Sequence, residues 1–196
     1  MTVPGETPLR TRDPARKEKI LEAAAELVSA SGFHAVSMAD IGLEAGITGS
    51  GIYRHFESKS AILVALFDRF IDRLLRDEQR TLEEASDIKV ALAGLIEGQV
   101  EFVVRDRAIA QVYHNEIRSL PDDDQIRLRR KQRLYVEEWV HLLREVRSEL
   151  DDATARTLTH AAIAAIQSPL FHNVGLPKDR LKETLTTAAM AVLDLT

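Results

Sequence analysis

Apolar residues recur along this chain at three- and four-residue spacing from Ile20 to Val192, and no stretch alternates as a strand requires. Asp13-Pro14 places a capping residue before a proline at the first helical position. Ile20, Leu21, Ala24, Leu27 and Val28 then share one face, and Gly32 closes a helix predicted over 14–31. Ser37 to Ala45 predicts a short helix: Ser37 caps it, Asp40 completes an acidic capping box, and Met38, Ile41 and Ala45 turn inward. Gly46 suits the left-handed position that ends such a helix. A second short helix is predicted from Thr48 through Arg54 and His55, with Ile52 and Phe56 as its buried stripe. Ser58 opens a long helix to Glu84 whose stripe runs Ile62, Leu63, Leu66, Phe67, Phe70, Ile71, Leu74 and Leu75. Beyond Asp87, helices are predicted over 88–105, 108–119, 122–150, 152–171 and 178–193, with a Pro- and Gly-bearing loop at 173–177. The expected fold class is all-α, with an arm over 1–13, a three-helix helix-turn-helix domain over 14–60 and a larger helical effector-binding and dimerisation domain over 61–196.

Two short helices joined by a glycine-containing turn form a helix-turn-helix, in which the second helix lies in the major groove of DNA. Ser50 and Arg54 fall opposite the Ile52–Phe56 stripe, with Gly51 and Tyr53 beside them. Hydroxyls and the bare backbone at Gly49 and Gly51 suit phosphate, and Arg54 can read the O6/N7 edge of guanine. As pattern alone, the same stretch serves equally as a structural hairpin inside a helical core.

Ala45-Gly46-Ile47-Thr48, Ile52-Tyr53-Arg54-His55-Phe56 and Ser58-Lys59, preceded by Gly32-Phe33 at the end of the leading helix, resemble the DNA-binding domain of the tetracycline-repressor (TetR) family. The resemblance covers the N-terminal part of the chain. It implies a DNA-contacting set of Ser37, Thr48, Gly49, Ser50, Gly51, Tyr53, Arg54, His55 and Lys59. Many members carry Lys-Gly-Thr where this chain has Gly49-Ser50-Gly51, a departure that removes one phosphate contact. The wording Ile-Thr-Gly followed by Tyr-Arg-His-Phe is similar to a branch whose members often sense acyl-CoA thioesters.

Composition adds limits. The chain has 196 residues, 45% hydrophobic and 29% charged, with a net charge of −5, so DNA binding cannot rest on a global basic field. The first sixty residues hold seven Lys or Arg against eight acids; what counts is placement, with Arg10, Arg12, Arg16 and Lys17 clustered near the start and Arg54 and Lys59 in or beside the motif. The N-terminal arm reads either as a DNA-reaching segment or as a solvated tail. Without cysteine there is no disulfide or thiolate metal site. The first residues lack the apolar run of a signal peptide, and no run approaches a membrane span; a cytoplasmic protein is expected.

No phosphate-binding glycine loop, nucleophile elbow or zincin motif is present, and no enzyme, cofactor or metal is called for. His114 and Glu116 stand two apart and point different ways on a helix. The C-terminal part suits a ligand cavity. Phe70, Leu74, Phe102, Val103, Tyr113, Tyr135 and Trp139 fall on inward stripes, with Arg118, and also Arg105, His114 and Arg133, as polar candidates. Arg127, Arg129, Arg130, Lys131 and Arg133 form a basic run that reads as a solvated face paired with Glu137 and Glu138, or as a phosphate-binding rim. Leu158, Ala162, Ala165, Ile166, Leu185, Ala189 and Val192 make flat faces on the last two helices, either core or subunit interface; the resemblance favours a two-fold dimer.

The expected function is a repressor that binds a palindromic operator in double-stranded DNA as a homodimer and is released by a small lipophilic effector, with an acyl-CoA thioester as the specific candidate. The rivals are control of a drug-efflux gene by a lipophilic drug and a helical adaptor that does not bind DNA.

Overall fold

The computed structural model describes residues 14–47, 49–172 and 175–195. The N-terminal arm, Thr48, and Asn173 and Val174 of the expected loop lie outside the described residues. Helices account for most of what is described, and no strand occurs among the described residues. The chain divides into two compact units, residues 1–63 and 64–196. The division falls inside one helix, three residues beyond the boundary expected at 60/61.

In the first unit, α1 (Pro14–Ser31) packs against α2 (Met38–Glu44), which packs in turn against α3 (Gly49–Ile52). Ile20, Leu21, Ala24, Val28, Phe33, Val36, Ile41, Ile52 and Phe56 are buried here. Those in α1, α2 and α3 come from the apolar stripe of their helix, so the 3.6-residue period fixes which face turns inward; Phe33, Val36 and Phe56 enter from the turns between helices. Gly46 ends α2 with φ +66°, a region that costs a side-chain-bearing residue about 1–2 kcal/mol. The second motif helix is shorter than expected. Regular helix stops at Ile52, and Tyr53 to His55 form a turn in which Arg54 N–H reaches Gly51 O and His55 N–H reaches Ile52 O. Those three-residue bonds tighten the chain and bring Phe56 into the same small core.

Helix α4 (Lys59–Glu84) starts in the first unit, capped by the Ser58 hydroxyl on the Ala61 N–H at 3.0 Å, and continues into the second. There α5 (Ile88–Arg105) is the centre. Nine of its residues are buried, from Ala91 to Val104, and α7 (Asp122–Val146), α8 (Asp152–Gln167) and α9 (Lys178–Leu193) close around it. A helix that is apolar on most sides has to be enclosed. Helix α6 (Arg107–Glu116) adds Ala110, Val112 and Tyr113.

Three ends differ from expectation. The 108–119 helix becomes α6 plus a 3-10 turn over Ile117–Ser119. Helix α7 stops at Val146 rather than Leu150, because the backbone at Arg147 leaves helical geometry ahead of the Asp151 cap, whose carboxylate accepts the Thr154 N–H at 2.7 Å. Helix α8 stops at Gln167, and Ser168–Leu170 form a 3-10 turn around Pro169, which has no N–H to continue the α ladder.

The expected interface residues on the last helices also need correction. Ala162, Ile166, Leu185 and Ala189 are buried within the chain itself, three of them completely, in the packing of α8 on α9 and of both on α5. Leu158, Ala165 and Val192 are half-buried. An Ala162→Asp substitution is therefore expected to unfold the second unit, costing about 3–5 kcal/mol for an unpaired buried charge. The check is urea unfolding followed by far-UV circular dichroism: a folded chain of unchanged midpoint would place Ala162 on an outer surface.

Candidate functional site

The helix-turn-helix is set by a reciprocal cap. The Ser37 hydroxyl accepts the Asp40 N–H at 3.1 Å and donates to Asp40 Oδ2 at 2.7 Å, while the Ser37 N–H donates to the same oxygen at 2.9 Å. The Ser37 hydroxyl and N–H together hold the Asp40 carboxyl below the usual carboxylate range. The Ser37 hydroxyl, expected to meet DNA, is engaged in capping α2. Gly42 lets α3 come close: a side chain there would begin 3.3 Å from Ile47 O and 3.8 Å from Ile52 Cβ. With Ile52 fully buried as the anchor, Tyr53 (59% exposed) and Arg54 stand in solvent, and Gly51 and His55 are half-buried. Thr48 and the side chain of Ser50 lie outside the described residues, as does Gly49 beyond its backbone in α3.

Lys59 has another task than the one expected. Its ammonium donates to Phe33 O at 2.6 Å and Val36 O at 2.7 Å, and it lies 4.3 Å from the centre of the Phe33 ring. Two of its three N–H groups thus tie the start of α4 to the loop between α1 and α2. A free phosphate cation is replaced by a structural strut.

In the second unit the expected aromatic cluster forms, mostly as filling. Phe70 stacks on Tyr113 at 5.4 Å and meets Phe102 at 4.5 Å, and Phe67 meets Tyr113 edge-on at 4.9 Å. Phe70, Val103, Tyr113 and Trp139 belong to the core of this unit, and Trp139 is completely buried. Arg118 is exposed in the 3-10 turn after α6, and His114 lies edge-on to Phe171. Leu74, Phe102 and Tyr135, by contrast, do line a cavity of about 110 Å³ between α4, α5 and α7, together with Arg105.

Sequence reasoning missed the polar part of this cavity. Glu78 is 9% exposed, its Oε1 is buried without a hydrogen-bond partner, and burial first, then the nearby charge of Glu138, pushes its carboxyl up to about 8. Gln99 is buried too and accepts the Tyr135 hydroxyl at 2.8 Å. Glu78 falls four residues after Leu74 on an apolar stripe, and a lone carboxylate at such a position is the signal that was available. Gly94 and Gly98 shape the space. A side chain at Gly94 would start 2.6 Å from Thr81 Cγ2, so α4 and α5 touch there, whereas one at Gly98 would meet nothing within 4 Å.

The basic run splits in two. Lys131 pairs with Asp68 at 2.8 Å and Asp72 at 2.6 Å, and Arg127 pairs with Asp68 and Asp124. Burial works against the charge of Asp68, but Arg127 and Lys131 hold its carboxyl below the ordinary range. These two cations bind α7 to α4, so neither is a rim for a ligand. The expected pairing of the run with Glu137 is also replaced: Arg156 takes that carboxylate through both oxygens, at 2.6 and 2.9 Å. Arg129 and Arg133 instead line a separate groove of about 710 Å³ between α7 and α8, with Val136, His160, Ile163 and Gln167.

Two outcomes follow from this geometry. Lys59→Met should lower the stability of the chain by about 1 kcal/mol, the cost of losing two charge-assisted bonds to partly buried carbonyls, and should leave the salt slope of DNA binding unchanged; a shallower slope would restore the phosphate contact. For Glu78, the folded state keeps its proton up to about pH 8 while an unfolded carboxyl loses it near 4.5. Stability from this group is therefore lost as pH rises through that window. Relative to Glu78→Gln, the melting temperature of the unaltered protein should fall between pH 5 and pH 8; parallel curves would contradict a neutral carboxyl.

Comparison with known proteins places both units. Residues 20–66, the helix-turn-helix and its flanks, match the family model described as bacterial regulatory proteins, tetR family. The HTH-type transcriptional repressor KstR2 of Mycolicibacterium smegmatis is 28% identical over 134 residues, which are 67% of this chain and 64%, less than two thirds, of that relative. A TetR-family transcriptional regulator from Bordetella parapertussis superposes with a TM-score of 0.79 at 21% identity over 91% of this chain and 95% of its own. AibR, solved in complex with isovaleryl coenzyme A and operator DNA, gives 0.76 at 16% identity over 88% of this chain and 97% of its own. The first unit thus carries a helix-turn-helix that matches the tetR family model, and the chain shares its fold with a solved TetR-family regulator over nine-tenths of its length.

Proposed function

We propose that this chain is a ligand-responsive repressor that binds a palindromic operator as a homodimer and leaves it when an acyl-CoA thioester occupies the cavity between α4, α5 and α7. The observation that carries this reading is the pairing of an exposed Tyr53–Arg54 turn on the helix-turn-helix with a cavity in the second unit lined by Leu74, Phe102 and Tyr135. Arg54 is the residue placed to read a base edge, Tyr53 stands beside it, and the helix-terminal backbone at Gly49 to Gly51 is the phosphate cradle.

The acyl thioester is supported by cavity size and by likeness. A volume of about 110 Å³ is smaller than the engineered cavity of about 150 Å³ that admits benzene, so it suits a short acyl group whose remainder lies outside. The fold is similar to that of AibR, whose structure holds isovaleryl coenzyme A. Dimerisation is supported by the outer faces of the last two helices, where Ala161, Ala164 and Ala191 are exposed and Ala188 is half-buried. Small residues at helical spacing allow two copies to approach closely in a four-helix arrangement. Binding of effector to one of two conformations then shifts the balance between DNA-bound and free protein.

The test is a gel shift with the DNA upstream of the protein's own gene, followed by release with butyryl-CoA, butyrate or coenzyme A alone. Retardation followed by release with the thioester only is the expected result. Arg54→Ala should weaken operator binding by about 1–3 kcal/mol and relax preference at one position of each half-site. Unchanged binding by this variant would remove Arg54 from the DNA interface. Release by an unrelated lipophilic drug and by no acyl compound would point to control of an efflux gene.

A further inference from the structure

The cavity between α4, α5 and α7 contains a group that its packing does not use. Glu78 projects from α4 with 9% exposure, and its Oε1 meets no hydrogen-bond partner. No ion pair among the described residues reaches it. The other groups around it are accounted for. On α4, Arg80 pairs with Asp77 at 3.3 Å. On α5, Arg105 pairs with Asp106 at 3.0 Å and Glu101 with Lys182. On α7, Tyr135 donates its proton to Gln99 of α5, and Glu138 lends a negative charge from the same helix. An unpaired buried carboxylate would be very costly, and the usual escape is to keep the proton. The result is a protonated carboxyl whose Oε1 has no partner in the protein, in a cavity that borders open space at Gly98.

We infer that Glu78 is the specificity-determining residue of this cavity: as a neutral acid it donates a hydrogen bond to an uncharged carbonyl of the effector, and so selects a thioester over the corresponding free acid. This rests on the reading of the cavity as the effector site. The hydrogen bond runs from the Glu78 hydroxyl to the ligand carbonyl oxygen. A carboxylate ligand loses its hydration against a wall that offers no unpaired cation. An amine requires Glu78 to give up its proton in apolar surroundings. A site built to donate to a carbonyl discriminates strongly, because a ligand without one leaves the buried donor unmet.

Isothermal titration of the full chain with butyryl-CoA, butyrate, butylamine and coenzyme A, at pH 7 and pH 9, tests this. With the carboxyl titrating near 8, butyryl-CoA should bind the unaltered protein about tenfold more weakly at pH 9 than at pH 7, as the protonated fraction falls. Glu78→Gln, which keeps a donor and cannot ionise, should bind equally at both pH values. Glu78→Leu should bind weakly at both, and circular dichroism confirms that each variant is folded. Butyrate and butylamine should bind the unaltered protein at least tenfold more weakly than the thioester at pH 7. Butyryl-CoA binding that ignores pH and both substitutions overturns the role of Glu78 while leaving the effector site in place. Preference for butylamine, rising with pH, makes Glu78 a counter-charge and overturns the inference. Failure of every acyl probe to bind, by either variant or the unaltered chain, removes the effector reading and the inference with it.

Discussion

The second unit depends on one constraint: α5 has too little polar surface to face water. Leu92, Leu95, Ile96, Val100 and Val103 point to several sides of it, and each side has to be covered. Helices α7, α8 and α9 do this, and in doing so they use the faces that carry Ala155, Ala162, Ile166, Leu185 and Ala189. Burial of that apolar area at about 25 cal/mol per Å² is the main stabilising term. Small residues on α8 and α9 let these helices lie near α5 and near each other. On the opposite side Ala161, Ala164 and Ala191 remain in solvent.

This explains what was legible in the sequence and what was not. Period and caps located the helices: α1, α5 and α9 begin and end where Pro14, Asp87 and Pro177 on one side and Gly32, Arg105 and Leu193 on the other suggest. Those signals are local, so a single chain carries them. Helix ends governed by competition between neighbouring elements were less legible. The expected helix to Leu150 gives way at Val146 because the following cap takes over, and the helix to Phe171 changes type at Pro169. The assignment of Ala162 and Ala189 to an interface failed for a different reason: periodicity shows that a face is apolar and does not name what covers it.

The candidate sites divide in the same way. The exposure of Arg54, with Tyr53 beside it, was legible because the buried Ile52–Phe56 stripe fixes the side opposite. Lys59 was misread, since its partners are carbonyls at Phe33 and Val36, 26 and 23 residues earlier in the chain, and backbone acceptors leave no mark in a sequence. The basic run could not be resolved for a similar reason. Only the fold puts Asp68 and Asp72 of α4 beside Lys131 of α7 while leaving Arg129 and Arg133 toward α8. In the cavity, aromatic residues drew attention and proved to be mostly filling, whereas the carboxyl of Glu78 was passed over among many surface acids.

The two glycines of α5 have unequal freedom to vary. Gly94 is fixed by contact, since Thr81 stands where its side chain would be. Gly98, one turn further on, borders unoccupied space. A Cβ there disturbs no neighbour, so alanine at this position would narrow the cavity without pushing the helices apart. The size of the cavity can therefore vary at one residue while the contact at Gly94 keeps α4 and α5 together.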